Sequence, residues 1–328
     1  MAKKRVFSGI QPTGNLHLGN YLGAIMNWVK NQNEKENIFC IVDEHAITVP
    51  QNPKELQKNI LETAKVYLAA GIDPKKSDIF VQSSRSEHAE LAWILNNFAY
   101  FGEMSRMTQF KDKKNRNIFV TMGLVDYPIL MAADILLYNT NEVPVGDDQK
   151  QHVEITRDIA ERVNKRYKDN VFVVPEPVIV KESARIMSLT NPEEKMSKSD
   201  VNDNSRINIL DSAEVIRKKF ARAVTDSGSE VKYDPKAKPG VSNLLNILSA
   251  STGRSVAELE SKYKNKSYAD FKSDVAEAVI TVLEPLQRKF DNFEDKDVIQ
   301  VLRDGAGKVA PTAQETLARV KKTVGLGI

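Results

Sequence analysis

The sequence predicts an α/β protein, with a doubly wound parallel sheet over residues 1–206 and an all-helical region over residues 207–328. Three observations carry this prediction. Short apolar, β-branched runs alternate with helix-length amphipathic stretches through the first part. The second part keeps a helical period and contains no strand-like run. At 328 residues, with 41% hydrophobic and 28% charged, the chain is long enough for two domains and a sizeable core.

The strand candidates, in order, are RVFS (5–8), IFCIVD (38–43), IFVQ (79–82), VPV (143–145), VFVV (171–174) and RIMSL (185–189). Helical patterns such as NYLGAIMNWVKNQ and PKELQKNILETAKVYLAAG lie between them, the latter closed by Gly71 as a C-cap. In YPILMAADILLY, Pro128 suits the first turn of a helix. In the second part, DSAEVIRKKFARAV opens at Asp211 with Glu214 three residues on, and Ser255 with Glu258 repeats that capping-box spacing. SYADFKSDVAEAVITVLEPLQRKF and TAQETLARVKKTVG are amphipathic, the second ending at Gly325. There is no internal repeat. Trp28 and Trp93 lie in helical patterns and read as core residues.

The single cysteine, Cys40, excludes an intramolecular disulfide and reads as a small core residue in IFCIVD. MAKKRVFSG has a basic start but no apolar h-region, and YPILMAADILLY is too short for a membrane span and carries Asp134. The reading is cytoplasmic, with no membrane partner. Net charge is +3, and residues 207–328 account for all of it with 20 Lys/Arg against 17 Asp/Glu. That balance neither requires nor excludes nucleic acid.

In open α/β sheets, ligands bind beyond the carboxyl ends of the strands. Four polar loops fall there: GIQPTGNLHLGN, EHAIT, GDDQ and TNPEEKMSKSD. In the first, Gly9 and Gly14 permit a tight loop and Gly19 permits close approach. With a helix beginning near Leu18, His17 and Asn20 share one face of its first turn, beside the unpaired N–H groups and the positive end of the dipole. That is a site for phosphate; the alternative is that Asn20 caps the helix and His17 fills a surface niche. No G-x-x-x-x-G-K-[ST] loop is present, so lysines must come from elsewhere. Lys195 and Lys198 in KMSKS can reach a polyphosphate as point charges on a segment free to close, although such pairs are commonly solvated surface. Tyr127, Met131 and Asp134 form one helical stripe. A carboxylate in so apolar a run needs a donor: an indole N–H is one, a neighbouring backbone N–H or buried lysine another. Asp147 and Asp148 can cap the helix that follows them.

At this point the residues carry a resemblance. HLGN resembles the HIGH signature, and KMSKS the second signature, of class I aminoacyl-tRNA synthetases. SGIQPTGNLHLGNYLGA, FCIVDEHAIT, RMTQFKDK, YPILMAADILLYNT, VPVGDDQKQH and KMSKSD together resemble the bacterial-type tryptophanyl-tRNA synthetases, by motif over residues 6–206. The resemblance implies a Rossmann-type catalytic domain (1–206), a helical anticodon-binding domain (207–328) and a homodimer. It implies activation of L-tryptophan by ATP, with release of pyrophosphate, then esterification of the terminal adenosine of tRNA(Trp). Asn20 replaces the second histidine of the general signature, and Asp147 stands where the family more often has glutamate.

By resemblance, His17, Asn20, Lys113, Lys195 and Lys198 are the catalytic group. Gln11, Thr13, Gly19, Asn20, Gly146, Asp148, Ile186, Met196, Ser197 and Ser199 bind ATP. Phe7, Gly9, His45, Tyr127, Met131, Asp134, Val145 and Gln149 bind tryptophan. Mg²⁺ is implied on the phosphates rather than in a protein cage, and the four histidines are not at ligand spacing. For tRNA, RKKFARA (217–223) and KYKNKSY (262–268) mix basic and aromatic residues as phosphate attraction and base stacking require; a charged solvent face is the alternative. Two rival functions remain, a tyrosyl-tRNA synthetase and a small-molecule nucleotidylyltransferase with an HxGH-like element. A non-catalytic nucleotide- or RNA-binding relative is a third.

Overall fold

A computed structural model describes residues 3–14, 16–107, 121–146, 149–179, 185–198 and 200–327. Five parallel strands, β1 (Arg5–Ile10), β2 (Glu36–Ile41), β3 (Ser77–Val81), β4 (Glu142–Val145) and β5 (Glu176–Ile179), form one sheet in the order β3-β2-β1-β4-β5. Strand order reverses between β1 and β4, the switch point at which doubly wound sheets bind ligands. β2 shows why its sequence reads as an unbroken apolar run. Its side chains alternate between two cores, Phe39 and Ile41 on one face and Ile38 and Cys40 on the other.

Two strand expectations fail. VFVV (171–174) forms a loop in which Val171 and Phe172 are buried. Asn164 replaces a strand neighbour there, accepting from Phe172 N–H and donating to Phe172 C=O, both at 2.9 Å. The fifth strand is instead the proline-bearing Glu176–Ile179, tolerated because β5 pairs on one side only. RIMSL (185–189) contributes one isolated bridge, Met187 with Lys195.

The first helical run is broken into α1 (Leu18–Asn20), a π-helical turn (Tyr21–Ile25) and α2 (Met26–Asn31). After β2 come α3 (Asp43–Ala46) and α4 (Pro53–Ala70), the latter ended by Gly71 at φ +106° as the sequence predicts. α5 (Glu87–Asn96) and α6 (Phe101–Met104) precede α7 (Met122–Leu136). α7 starts one and a half turns before Pro128, because Thr121 accepts from Leu124 N–H as an N-cap, so the proline is internal. α8 (Lys150–Tyr167) links β4 to β5.

The remainder is helical: α9 (Ala213–Arg222), α10 (Pro239–Thr252), α11 (Val256–Tyr263), α12 (Tyr268–Asp291) and α13 (Asp295–Val324). Ser255 and Glu258 form the predicted capping box. At α9 the cap is Ser212, not Asp211, which instead accepts from Asn208 N–H and the buried Lys219 ammonium. α13 ends at Gly325 but begins well before Thr312. It runs along β3, and the fit is close: a β-carbon on Gly305 would lie 2.0 Å from the Ile79 carbonyl oxygen. Among the described residues no helix is long and apolar enough to cross a membrane.

Candidate active site

The loop after β1 runs as an extended segment, paired with residues 207–209 outside the sheet, before its helix begins. Leu18 N–H donates to Ile207 C=O and Ile209 N–H to Leu16 C=O, both at 2.8 Å, so residues flanking His17 pair with the stretch following KMSKS. The predicted orphan donor at the helix start is therefore partly used, because the first N–H of α1 serves this pairing. His17 is the N-cap, and the Asn20 side-chain oxygen accepts from His17 N–H at 3.1 Å. That commits the amide oxygen and leaves its N–H₂ end for a ligand. Gly19 keeps the imidazole in place, since a β-carbon there would sit 3.0 Å from His17 Cε1 and Nδ1.

His17 is 5% exposed, and its Nδ1 has no hydrogen-bond partner. Burial, together with the positive charges of Lys198, Lys195 and Arg206, pushes its pKa down to about 3. The imidazole is thus neutral near pH 7. Burial likewise brings Lys198 down to about 8. Its Nζ donates to the Gln11 carbonyl at 2.7 Å, joining the far end of KMSKS to the loop after β1. KMSKS itself folds back on residues 186–188. Met196 N–H donates to Ile186 C=O at 3.1 Å, and Ser188 N–H to Glu194 C=O at 2.8 Å. Asn243 of α10 clamps the same hairpin through both Met187 backbone groups at 2.8 and 2.9 Å.

These contacts enclose a cavity of about 480 Å³ at the β1/β4 switch point. Of the residues singled out in the sequence, it is lined by His17, Gly19, Asn20, Val145, Gly146, Gln149, Ile186, Lys195 and Met196. Gln11 joins through Lys198, while Thr13 and Ser197 lie half-buried in the two flanking loops. Trp28 borders the cavity as well as packing on Phe39 and Tyr67. Lys113, Asp148 and Ser199, like Asp147, lie outside the described residues.

The remaining candidates, Gly9 apart, gather beside this cavity rather than in its wall, with Val145 common to both groups. Phe7 and Val145 belong to one apolar cluster, against which Met131 packs. Gly9 is exposed at the end of β1. Asp134 is 1% exposed and accepts three hydrogen bonds: His45 Nε2 to Oδ2 at 2.8 Å, and Gln82 Nε2 and His88 Nδ1 to Oδ1 at 2.7 and 2.6 Å. Burial alone would raise this carboxyl's pKa, but the hydrogen bonds from His45 and His88 hold it well below the usual carboxylate range. Tyr127 meets the His45 ring edge-on and hydrogen-bonds His152 Nε2 at 2.7 Å. Gln82 and His88 are absent from the sequence-derived set. Gln82 ends a predicted strand at the same sheet edge as the other loops, and that was its available signal.

Two further expectations change. Trp93 is not core; it is 73% exposed on α5. Two aromatic residues of the basic stretches cannot stack on bases, because Phe220 and Tyr263 are buried; the half-buried Tyr268 has its hydroxyl bonded to Asp226. Arg217, Lys218 and Lys219 all pair with carboxylates.

Comparison with known proteins bears on this geometry directly. The family described as tRNA synthetases class I (W and Y) matches residues 2–284. The chain belongs to that family. Among its relatives, the Tryptophan–tRNA ligase of Caldanaerobacter subterraneus subsp. tengcongensis is 53% identical over 323 residues, 98% of each chain. The tryptophanyl-tRNA synthetase structure from Mycoplasma pneumoniae superposes with a TM-score of 0.93 at 38% identity, covering 99% of this chain and 98% of that one. The Campylobacter jejuni enzyme, solved with ADP and tryptophan, gives 0.84 at 36% identity, covering 98% and 100%.

Proposed function

We propose that this chain activates L-tryptophan with ATP and transfers it to tRNA(Trp), with the two residue groups above as its nucleotide and amino-acid sites. Tryptophan–tRNA ligation is the activity of its 53%-identical relative, and neither a tyrosine ligase nor a small-molecule nucleotidylyltransferase accounts for that match. The observation that carries the site assignment is the meeting of HLGN and KMSKS, far apart in sequence, across one cavity at the sheet's switch point.

The tryptophan carboxylate attacks the α-phosphorus of ATP and pyrophosphate leaves, a step that depends on alignment and charge stabilisation. His17 and the Asn20 amide donate to phosphate oxygens. Lys195 and Lys198 neutralise the departing pyrophosphate, Lys198 exchanging the Gln11 carbonyl for phosphate as the loop closes. Lys113 and Asp148 keep the roles that the resemblance gives them. The described cavity wall offers amides, an imidazole and ammonium groups but no carboxylate, so Mg²⁺ fits as an ion carried on the phosphates, supplying charge neutralisation there. On Asp134, three of about four lone-pair positions are occupied. The indole N–H takes the last one on Oδ2 or replaces His45. Phe7, Met131 and Val145 form the apolar wall.

Residues 1–206 are the proposed catalytic domain and 207–328 the anticodon-binding domain, in a cytoplasmic homodimer. Ile47 and Trp93, both exposed, line one shallow groove with the residues on either side of the exposed Met122, and this apolar surface supports the dimer, because such a patch is unusual on a monomer. ATP–pyrophosphate exchange measured with each amino acid separately tests the whole reading. Exchange driven by tryptophan alone is the expected result; exchange with tyrosine, or with no amino acid, would overturn it.

A further inference from the structure

A chain of buried polar groups continues from Asp134 away from the proposed substrate position. His88, 0% exposed near the start of α5, places Nδ1 2.6 Å from Asp134 Oδ1 and Nε2 2.7 Å from the Tyr138 hydroxyl. An ionised carboxylate only accepts, so Nδ1 carries the proton. Tyr138 is fully buried, and burial keeps its hydroxyl protonated. That hydroxyl needs an acceptor, and Nε2 is the one within reach among the described residues. The hydrogen bonds therefore run one way, from Tyr138 O–H to His88 Nε2 and from His88 Nδ1–H to Asp134. Gln82 adds a second donor to the same oxygen while its own carbonyl accepts from Glu44 N–H at 3.1 Å.

Packing leaves this unit little freedom. Tyr138 stacks on Phe7 with centroids 6.0 Å apart and meets Phe80 edge-on at 5.7 Å, while Phe80 also packs on His88 at 5.9 Å. Neither His88 nor Tyr138 borders the 480 Å³ cavity. Both donors from this side fall on Oδ1, so Oδ2, shared among the described residues only with His45, is the oxygen turned to other use.

We propose that His88, itself held by Tyr138, is a positioning residue that fixes Asp134 in one orientation as an acceptor-only group, and thereby sets the enzyme's requirement for a ring N–H on its substrate. The proposal rests on Asp134 being the indole acceptor. Without the His88 donor, Asp134 keeps Gln82 on Oδ1 and His45 on Oδ2 but is held less firmly and takes up a proton more readily, and in either case the acceptor for indole is degraded. The apolar wall, which an analogue lacking the N–H uses equally well, is untouched.

The experiment compares tryptophan with its benzothienyl analogue, in which sulfur replaces the ring N–H, by ATP–pyrophosphate exchange. In the full-length protein, the variants are His88→Gln, His88→Asn and Tyr138→Phe. An asparagine amide reaches roughly where Nδ1 lies and preserves the donor to Asp134; a glutamine amide reaches roughly where Nε2 lies and does not. His88→Gln is expected to lower kcat/KM for tryptophan about tenfold or more, the scale of a hydrogen bond to a charged group. The analogue and the KM for ATP should change little, so the preference collapses. His88→Asn should restore much of the preference, and Tyr138→Phe should reduce it to a smaller extent. Equal losses for both substrates in His88→Gln and Tyr138→Phe would overturn the proposal in favour of a purely structural role. If His88→Gln does not fold, Tyr138→Phe decides: an unchanged preference refutes the coupling. Failure of the underlying reading looks different, since then the wild-type enzyme and Asp134→Asn would show the same preference between the two substrates.

Discussion

Lys198 sits where two loops distant in sequence meet, and burial has brought its pKa down to about 8. Its charge is present below that value and lost as pH rises through it. Apparent affinity for ATP should therefore weaken between pH 7.5 and 9.5, seen as a rising KM for ATP in exchange assays. A Lys198→Arg variant, charged throughout, should show a flatter profile. Lys198→Ala should slow tryptophanyl-adenylate formation by roughly 10²–10³-fold, about 3 kcal/mol of barrier; an undiminished rate would remove the lysine from the mechanism. His17 works in the opposite direction. Its folded pKa of about 3 lies below the value of about 6.5 expected in the unfolded chain, so the unfolded state binds a proton first on acidification. Stability contributed by His17 is complete above about 6.5 and declines as pH falls toward 3. The difference in urea midpoint between wild type and His17→Gln should shift in the variant's favour between pH 7 and pH 4.5.

At the scale of elements, Gly19 and Gly305 show how much a missing side chain can matter. Gly19→Ala would press a β-carbon against the His17 ring and should reduce exchange about tenfold through misplacement of the imidazole, with thermal stability little changed. Gly305→Ala would drive a carbon into the Ile79 backbone, so α13 would have to lift off β3. A stability loss of about 3 kcal/mol in chemical denaturation is expected, with the exchange rate of the folded fraction largely kept. These elements also show what a sequence reveals. β2 was legible because a strand buried on both faces must be apolar throughout. The caps at Gly71, Ser255 and Gly325 were legible because capping is local chemistry. VFVV misled because a buried loop stapled by one asparagine has the same composition as a buried strand. The start of α7 misled because the Thr121 cap starts the helix earlier and leaves Pro128 inside it. The nucleotide loops announced themselves by position and motif, whereas His88 did not. A histidine in a helical pattern gives no sign of which carboxylate it will meet, because that depends on how α5 and α7 pack.

At the scale of the molecule, the two sequence regions do not form separate cores. One hydrophobic cluster runs from Leu16 and Phe39 through Met196 to Phe271 and Leu302, and Asn243 of α10 holds the base of the KMSKS hairpin. Movements of the helical part therefore reach the lysine loop through direct contacts. The exposed face around Trp93 bears on assembly. Trp93→Glu should shift the protein from dimer to monomer in sedimentation velocity; a wild type that sediments as a monomer would refute the dimer proposal.

The passage of α13 along β3 has a consequence for synthesis. β3 is an outer strand of the sheet, and about two hundred residues separate it from the helix that covers it. As the chain leaves the ribosome, the five strands are complete long before their cover exists. In that interval an outer strand stands open to pairing with other nascent chains. Protection by a chaperone should therefore matter most late in translation, and truncation before Asp295 should yield aggregates rather than a smaller working enzyme.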